Sequence, residues 1–376
     1  MTVWDELVGQ EPVVDALKEV VADRSRMTHA WLFTGPPGSG RSNAALAMAA
    51  ALQCPQGGCG HCDACTMSSA GSHPDITLIR TEGLSIGVDI AREYVRKAAL
   101  RPALGRWQVL IVEDADRLTD QAANALLKAI EEPAPKSVWM LCATAVDDVT
   151  ITIRSRCRSV LLRTPPVDSI TELLATRDGI DPAVARAAAS ASQGHIGRAK
   201  RLATDVDAQE RRRKILAIPT EVTTLGAALA AAQEIVEAAA ARASQEADDK
   251  DESEVGRLKE SWGVGDGGRR PAGYAGTLSA LEKDQKRRRT RLARDAIDGV
   301  LIDLLSFCRD VIAEQLAPGS GLVNADVAAD VSRAAAAWTP SSTLRRIDAI
   351  VECREALDAN AAPQLALEHM MAQFLG

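Results

Sequence analysis

Aromatic residues are scarce in this chain of 376 residues: Trp, Tyr and Phe together make up 3% of it, against 46% hydrophobic residues overall. Alanine, leucine, valine and isoleucine must therefore fill the core, and a mostly helical protein is expected. An excess of positive charge is also missing. The formal charge is −7 and the isoelectric point is near 5.4, which argues against a dedicated nucleic-acid-binding domain and leaves room only for local basic patches. There is no apolar run long enough to span a bilayer, and no charged-then-apolar segment at the start. A cytoplasmic protein is expected, and its eight cysteines are then read as free thiols or metal ligands rather than disulfides. The length allows two or three domains.

One loop organises what is present: Gly35-Pro36-Pro37-Gly38-Ser39-Gly40-Arg41-Ser42. The apolar run Ala30 to Thr34 before it reads as a buried strand. Asn43 to Leu52 after it reads as a helix. Strand, glycine loop and helix form the context of a phosphate-binding P-loop, in which backbone N–H groups and the helix dipole hold an anion. The spacing G-x-x-x-x-G-K-[ST] is kept except that Arg41 stands where lysine is expected. A guanidinium is planar and bulkier than the compact ammonium that reaches the terminal phosphates. P-loop ancestry is clear, while binding of ATP with Mg2+ is left open.

Behind that helix comes Cys54-Pro-Gln-Gly-Gly-Cys59-Gly-His-Cys62-Asp-Ala-Cys65. Four thiols within twelve residues, with glycines that permit a tight wrap, suit tetrahedral Zn2+ in a structural site. His61 competes with Cys54 for the fourth place. Cys142, Cys157, Cys308 and Cys353 are scattered and read as small core residues.

Farther on, Trp107 to Val112 reads as a continuous apolar strand that ends in Glu113-Asp114-Ala115-Asp116. After a P-loop this is where one carboxylate holds Mg2+ and its neighbour polarises water. The usual order is Asp then Glu. Here Glu113 precedes Asp114, which moves each carboxylate by one methylene and favours a degenerate site. Val138 to Ala143 is the next strand, with Thr144 at its tip, where it can orient a water or a γ-phosphate or simply cap a turn. Ile76 to Ile79 and Val160 to Arg163 complete a set of strands alternating with the helices Glu11 to Ala22, Gly87 to Leu100 and Thr119 to Glu131. The fold class expected is α/β, with a parallel doubly wound P-loop sheet.

From Pro165 onward the pattern is helical, with Asp168 to Ala175, Pro182 to Ser190 and Gly194 to Ala203 forming a small lid bundle. Asp207 to Ala241 reads as one alanine-rich helix. The expected domains are a P-loop α/β domain over 1–164 with its zinc module at 53–70, a helical lid over 165–205, and an all-helical collar over 206–376. The polar segment 244–277 reads as a flexible insertion in the collar. Lys283, Lys286, Arg287, Arg288, Arg289, Arg291 and Arg294 form a basic stretch that either touches nucleic acid or is a solvated helix face.

These features together resemble a known family. The loop Gly35 to Ser42, the cysteine module directly behind its helix, Gly71-Ser-His-Pro-Asp75, Ala123 to Lys128 with Glu131-Glu132-Pro133, and Ser155-Arg156-Cys157 are similar to those of the δ′ subunits of bacterial DNA polymerase III clamp loaders, which are AAA+ proteins. They span the first half of the chain. The resemblance implies an accessory subunit of the polymerase holoenzyme within a ring-like pentamer. Its partners would be the γ/τ and δ subunits and, through the complex, the sliding clamp and primed DNA. It implies an altered nucleotide site, and it makes Arg156 an arginine finger reaching a neighbour's ATP. Arg198 lies one position away from the family's second sensor arginine. Two alternatives stay open from the residues alone: an ATP-hydrolysing motor of the γ/τ kind, and a zinc-containing DNA-binding protein.

Overall fold

The computed structural model describes residues 2–264, 271 and 273–375. They divide into two compact units, one formed by 1–81 with 85–203, the other by 82–84 with 204–376.

The first unit is built on five parallel strands. In chain order come α1 (Glu11–Ala22), β1 (Ala30–Thr34), α2 (Arg41–Gln53), α3 (Asp63–Ser69), β2 (Ile76–Ile79), α4 (Val88–Ala98), β3 (Gln108–Val112), α5 (Asp120–Glu131), β4 (Ser137–Ala143), α6 (Ile151–Arg154) and β5 (Arg158–Leu161). The spatial order is β2-β3-β4-β1-β5. Alternation along each strand sends side chains to opposite faces. Trp31, Phe33, Val109, Ile111, Val138 and Met140 pack with α1 and α2. Leu32, Leu110, Val112, Trp139 and Leu141 pack with α4 and α5 on the other face. With both faces covered, the central strands read as unbroken apolar runs, as a doubly wound sheet requires. The fold class expected from the sequence is the one adopted. Thr119 caps α5 by accepting from Ala122 N at 3.2 Å. The last strand begins two residues earlier than the expected Val160.

Three further helices belong to this unit: α7 (Val167–Arg177), α8 (Pro182–Ala191) and α9 (Ile196–Thr204). They share a small core of Ile170, Leu174, Ala185, Ala189 and Ala199.

The second unit is all helical, with α10 (Val206–Glu221), α11 (Leu225–Ser261), α12 (Tyr274–Leu316), α13 (Ala328–Ala337), α14 (Pro340–Asp358) and α15 (Pro363–Gln373). The single helix expected over Asp207–Ala241 is two. The break falls at Val222–Thr224, where the Thr224 hydroxyl accepts from Ala227 N and starts α11. The larger difference concerns 244–277. Residues 244–261 are the second half of α11 and residues 274–277 open α12, so these parts are helix and not a flexible insertion. The rest of that expectation reaches into 265–270 and 272, outside the described residues. The physical reason lies in what replaces an apolar stripe. Ala228, Ala232, Ile235, Ala239, Ala243 and Ala247 are buried along α11, and Asp251 continues the same row. There the acidic residues of α11 meet the basic stretch of α12. Arg288 donates to Asp251 Oδ1 at 2.7 Å and to both Glu254 oxygens at 2.9 Å, and Arg289 reaches Asp251 and Asp248. Complementary charge on two antiparallel helices holds the pair together where hydrophobic periodicity is weak.

Candidate functional site

The P-loop follows β1 at the carboxyl end of the sheet, and its amide Gly35 N donates to Thr144 O at 3.2 Å across the tip of β4. Gln10 clamps the loop from below, donating to Ser39 O at 3.3 Å and to Arg163 O at 2.6 Å. Two glycines are there for physical reasons. Gly38 has φ +83°, and a side chain on it would meet His195 Cα at 2.5 Å. Gly40 has φ +88° and is the N-cap of α2, with no side chain capping the helix and open space around it. The first turn of α2 thus presents its N–H groups outward, which suits an anion. A cavity of about 330 Å3 opens here, lined by Gly38 to Asn43 together with Glu6, Leu7 and Val8 on one side and Arg177, His195 and Ile196 on the other.

Glu113 and Asp114 sit at the end of β3 as expected, but Glu113 is already engaged. Arg80 donates Nε to Glu113 Oε2 at 2.6 Å and Nη2 to Oε1 at 3.1 Å. Asp116 lies farther inside. Burial pushes its carboxyl pKa up, with the charge of Asp114 adding to the effect, and Thr144 Oγ1 donates to it at 3.4 Å. Ser42 is within hydrogen-bonding reach of buried Cys142, whose thiol burial pushes up to about 12. Glu113 and Asp114 are the carboxylates that Mg2+ would draw on, and the Arg80 fork competes with the ion for Glu113.

Arg80 is the residue that motif reading missed. Its signal lies in strand pairing. Ile79 is in register with Val112 in the parallel pair β2–β3, so a cation one residue past β2 stands beside an acid one residue past β3.

Gly35, Gly38, Gly40, Arg41, Ser42, Glu113, Asp114 and Thr144 gather at one end of the sheet. Arg198 is in α9, in the helical part of the same unit, and its amide donates to His195 Nδ1 at 3.2 Å. Arg156 is elsewhere. Arg158 pairs with Trp31 near the start of β1, so Arg156 approaches the sheet at the end opposite the loop. Four residues separate the level of Trp31 from Gly35, about 13 Å at 3.3 Å per residue. Arg156 Nη2 pairs with Glu131 Oε1 at 2.5 Å and Nη1 donates to Thr152 O at 2.7 Å. Its side chain is 39% exposed.

The four cysteines converge as expected. The sulfurs of Cys54, Cys59, Cys62 and Cys65 all lie within 4.8 Å of one another, a set that can hold one metal ion. Burial opposes ionisation of Cys54, yet the N–H groups of Cys59, Gly58 and Gln56 aimed at its sulfur lower its pKa to about 6. Burial pushes Cys65 up to about 12. His61 points away, toward Cys59 O at 3.0 Å, and is exposed. The module is pinned to the N-terminal segment, with Val3 N donating to Gly58 O and Trp4 Nε1 to Gly57 O, both at 3.1 Å.

The basic stretch is largely spent inside its own unit. Arg288 and Arg289 hold α11, Arg287 pairs with Asp284, and Arg294 donates to Leu357 O and Asn360 Oδ1.

Comparison with known proteins bears on the family. Residues 9–166 match the family described as DNA polymerase III, delta subunit, and residues 291–375 match the C-terminal part described under the same name. The chain belongs to the DNA polymerase III delta-subunit family. Relatives within and beside that family carry part of the sequence. It is 30% identical over 219 residues to the δ′ subunit of Bacillus subtilis, covering 57% of this chain and 65% of that one. It is 43% identical over 145 residues to the δ′ subunit of Escherichia coli, covering 37% and 43%. Identity to the γ/τ subunit of Mycobacterium tuberculosis is 36% over 175 residues, covering 45% and 30%. The chain spans less than two thirds of the length of each of these relatives. Among solved structures it is similar to a γ-subunit-related protein of Thermotoga maritima, at 17% identity with a TM-score of 0.41, covering 96% of this chain and 98% of that one. No helix among the described residues is long and apolar enough to cross a membrane.

Proposed function

We propose that this chain is a δ′-type subunit of the DNA polymerase III clamp loader. It works in the cytoplasm beside γ/τ and δ subunits to place the sliding clamp on primed DNA. Its contribution to ATP chemistry is Arg156, offered to the nucleotide of a neighbouring motor subunit, where a guanidinium stabilises charge on the transferring phosphoryl group. The observation that carries this reading is the place of Arg156. It is half-exposed and stands at the sheet end opposite its own loop, which supports service to a phosphate in another chain. Zn2+ in the four-cysteine module holds the loop behind α2 to the N-terminal segment as a structural ion.

The test is a reconstituted loader carrying Arg156→Ala. Loss of an arginine finger lowers hydrolysis by about 10³-fold or more, so clamp-stimulated ATPase should fall by that order, and unchanged turnover would sink the reading. A second reading, an independent ATPase motor, draws on the identity to γ/τ subunits. The Arg80–Glu113 pair argues against it, and steady hydrolysis by the purified chain would be its signature.

A further inference from the structure

Residues 2–10 form no helix or strand, yet Trp4, Leu7 and Gln10 are 4%, 5% and 2% exposed. The ends of a domain fray unless something ties them down. Here two separate sites do the tying.

The first tie is the cysteine module. Val3 N donates to Gly58 O and Trp4 Nε1 to Gly57 O, both at 3.1 Å. Gly58 passes so close that a side chain on it would meet Val3 Cγ2 at 2.6 Å. The amides on either side of these glycines face the other way. Gln56 N lies 3.3 Å and Cys59 N 3.5 Å from the Cys54 sulfur. One turn, 56–59, thus shows carbonyls to the N-terminal segment and amides to a thiol of the four-cysteine set. A metal ion that draws the four sulfurs together fixes this turn, and its loss frees the turn to move.

The second tie is the phosphate loop. Gln10 Nε2 donates to Ser39 O at 3.3 Å and to Arg163 O at 2.6 Å, and Gln10 Oε1 accepts from Arg163 N at 3.2 Å. Between the ties the segment is stiffened by its own turns, with Leu7 N donating to Trp4 O at 3.1 Å and Gln10 N to Leu7 O at 3.3 Å. Trp4 and Leu7 belong to the core cluster that α1 and α2 share with the sheet. Glu6, Leu7 and Val8 form a wall of the cavity at the loop. Displacing either end therefore moves that wall.

We infer that residues 3–10 are a strap through which metal in the cysteine module sets the order of the phosphate loop. With the module closed on its ion, the strap holds Gln10 against Ser39. With the module open, the first tie slackens and Gln10 loses its hold on the loop. The inference rests on the metal site proposed above and stands apart from the role of Arg156. The rival route is α2, which runs from the loop directly to Cys54.

Hydrogen exchange of the full chain, saturated with zinc and again after excess EDTA has removed it, tests the strap. The reporting amides are those of the loop, including Gly35 N on Thr144 O and Ser39 N on Pro36 O. Removing the metal should speed exchange over 54–65 and, through the strap, over 35–44 by roughly fivefold, the order expected for one neutral hydrogen bond. In Gln10→Met the loop should exchange faster from the outset and no longer respond to the chelator. Trp4→Phe keeps a buried ring and removes the donor to Gly57 O, so it should shrink the response. Faster exchange over 54–65 with none over 35–44 overturns the strap and leaves the metal site standing. A full native response in both variants also overturns it, because α2 would then carry the effect. No change in either segment defeats the metal site and the strap with it.

Discussion

Arg156 and Glu131 meet at 2.5 Å, both on the surface, with side chains 39% and 44% exposed. Exposed pairs of this kind contribute about 0–1 kcal/mol. The pairing therefore parks the guanidinium without committing it, and a neighbouring phosphate outcompetes the carboxylate at little cost. Glu131→Gln should change the unfolding free energy of the chain by less than about 1 kcal/mol. In a reconstituted loader it should keep ATPase at or above the native rate. A loss as large as that expected for Arg156→Ala would show that Glu131 does more than hold the arginine at rest.

The four sulfurs within 4.8 Å predict one bound metal ion per chain, since four thiolates complete one tetrahedral site. Metal analysis of protein purified without chelator should find zinc at that ratio. Chelation should lower the melting temperature and loosen residues 54–70 together with Val3 and Trp4, which are tied to Gly57 and Gly58. The sheet core should survive, because its clusters on either face do not include the module's cysteines. Hydrogen exchange that stays unchanged on chelation would count against the site.

Asp75 is buried and gathers the N–H groups of Ala103, Leu104 and Gly105 on its carboxylate, shaping the loop that enters β3. Burial opposes its ionisation, but these donors outweigh it and hold its pKa below the ordinary value. A depressed carboxyl pKa contributes stability that is present above the unfolded value of about 3.9 and is lost as pH falls through the folded one. Asp75→Asn should therefore cost about 1–3 kcal/mol at neutral pH, and the gap to the native chain should close below about pH 4. His73 is buried beside it, and burial lowers its pKa. Its protonation weakens both chains as pH falls below about 6.5, where the unfolded imidazole titrates, and weakens the variant more, because the Asp75 charge that supports the imidazolium is gone. A gap that fails to narrow at all as pH falls from about 4 toward about 2 would refute the assignment.

Arg288 and Asp251 are both nearly buried, 8% and 4% exposed, between α11 and α12. Removing one partner of such a pair costs about 3–5 kcal/mol, because the other charge is left without compensation. Arg288→Ala should destabilise the helical unit by that amount and speed hydrogen exchange across 244–261 and 274–290. The double change Asp251→Leu with Arg288→Leu should recover much of the loss. If the single change leaves exchange unaltered, the charges do not hold the hairpin.

The sites written in contiguous residues were legible before any coordinates. The P-loop needs Gly38 and Gly40 because of local backbone geometry, and the cysteine module needs its glycines to turn within a dozen residues. The sheet was legible because strands covered on both faces are apolar throughout. The hairpin of α11 and α12 was not. Its distal half is held by cross-helix charge, and a charge pairs across space without leaving a period along the chain. For the same reason the basic stretch around Arg288 suggested a nucleic-acid surface, when most of its cations already have partners in their own unit.

The sequence by itself determined the chemistry on offer, namely a glycine loop with Arg41 in it, acids at the end of β3, four clustered thiols and a lone Ser-Arg-Cys. Tertiary structure alone decided how those groups are spent. Parallel pairing of β2 with β3 sets Arg80 on Glu113, because residues 33 apart become neighbours only through strand register. The same sheet places Arg156 at its far end, because a parallel strand begins where its neighbours begin and not where their loops bind.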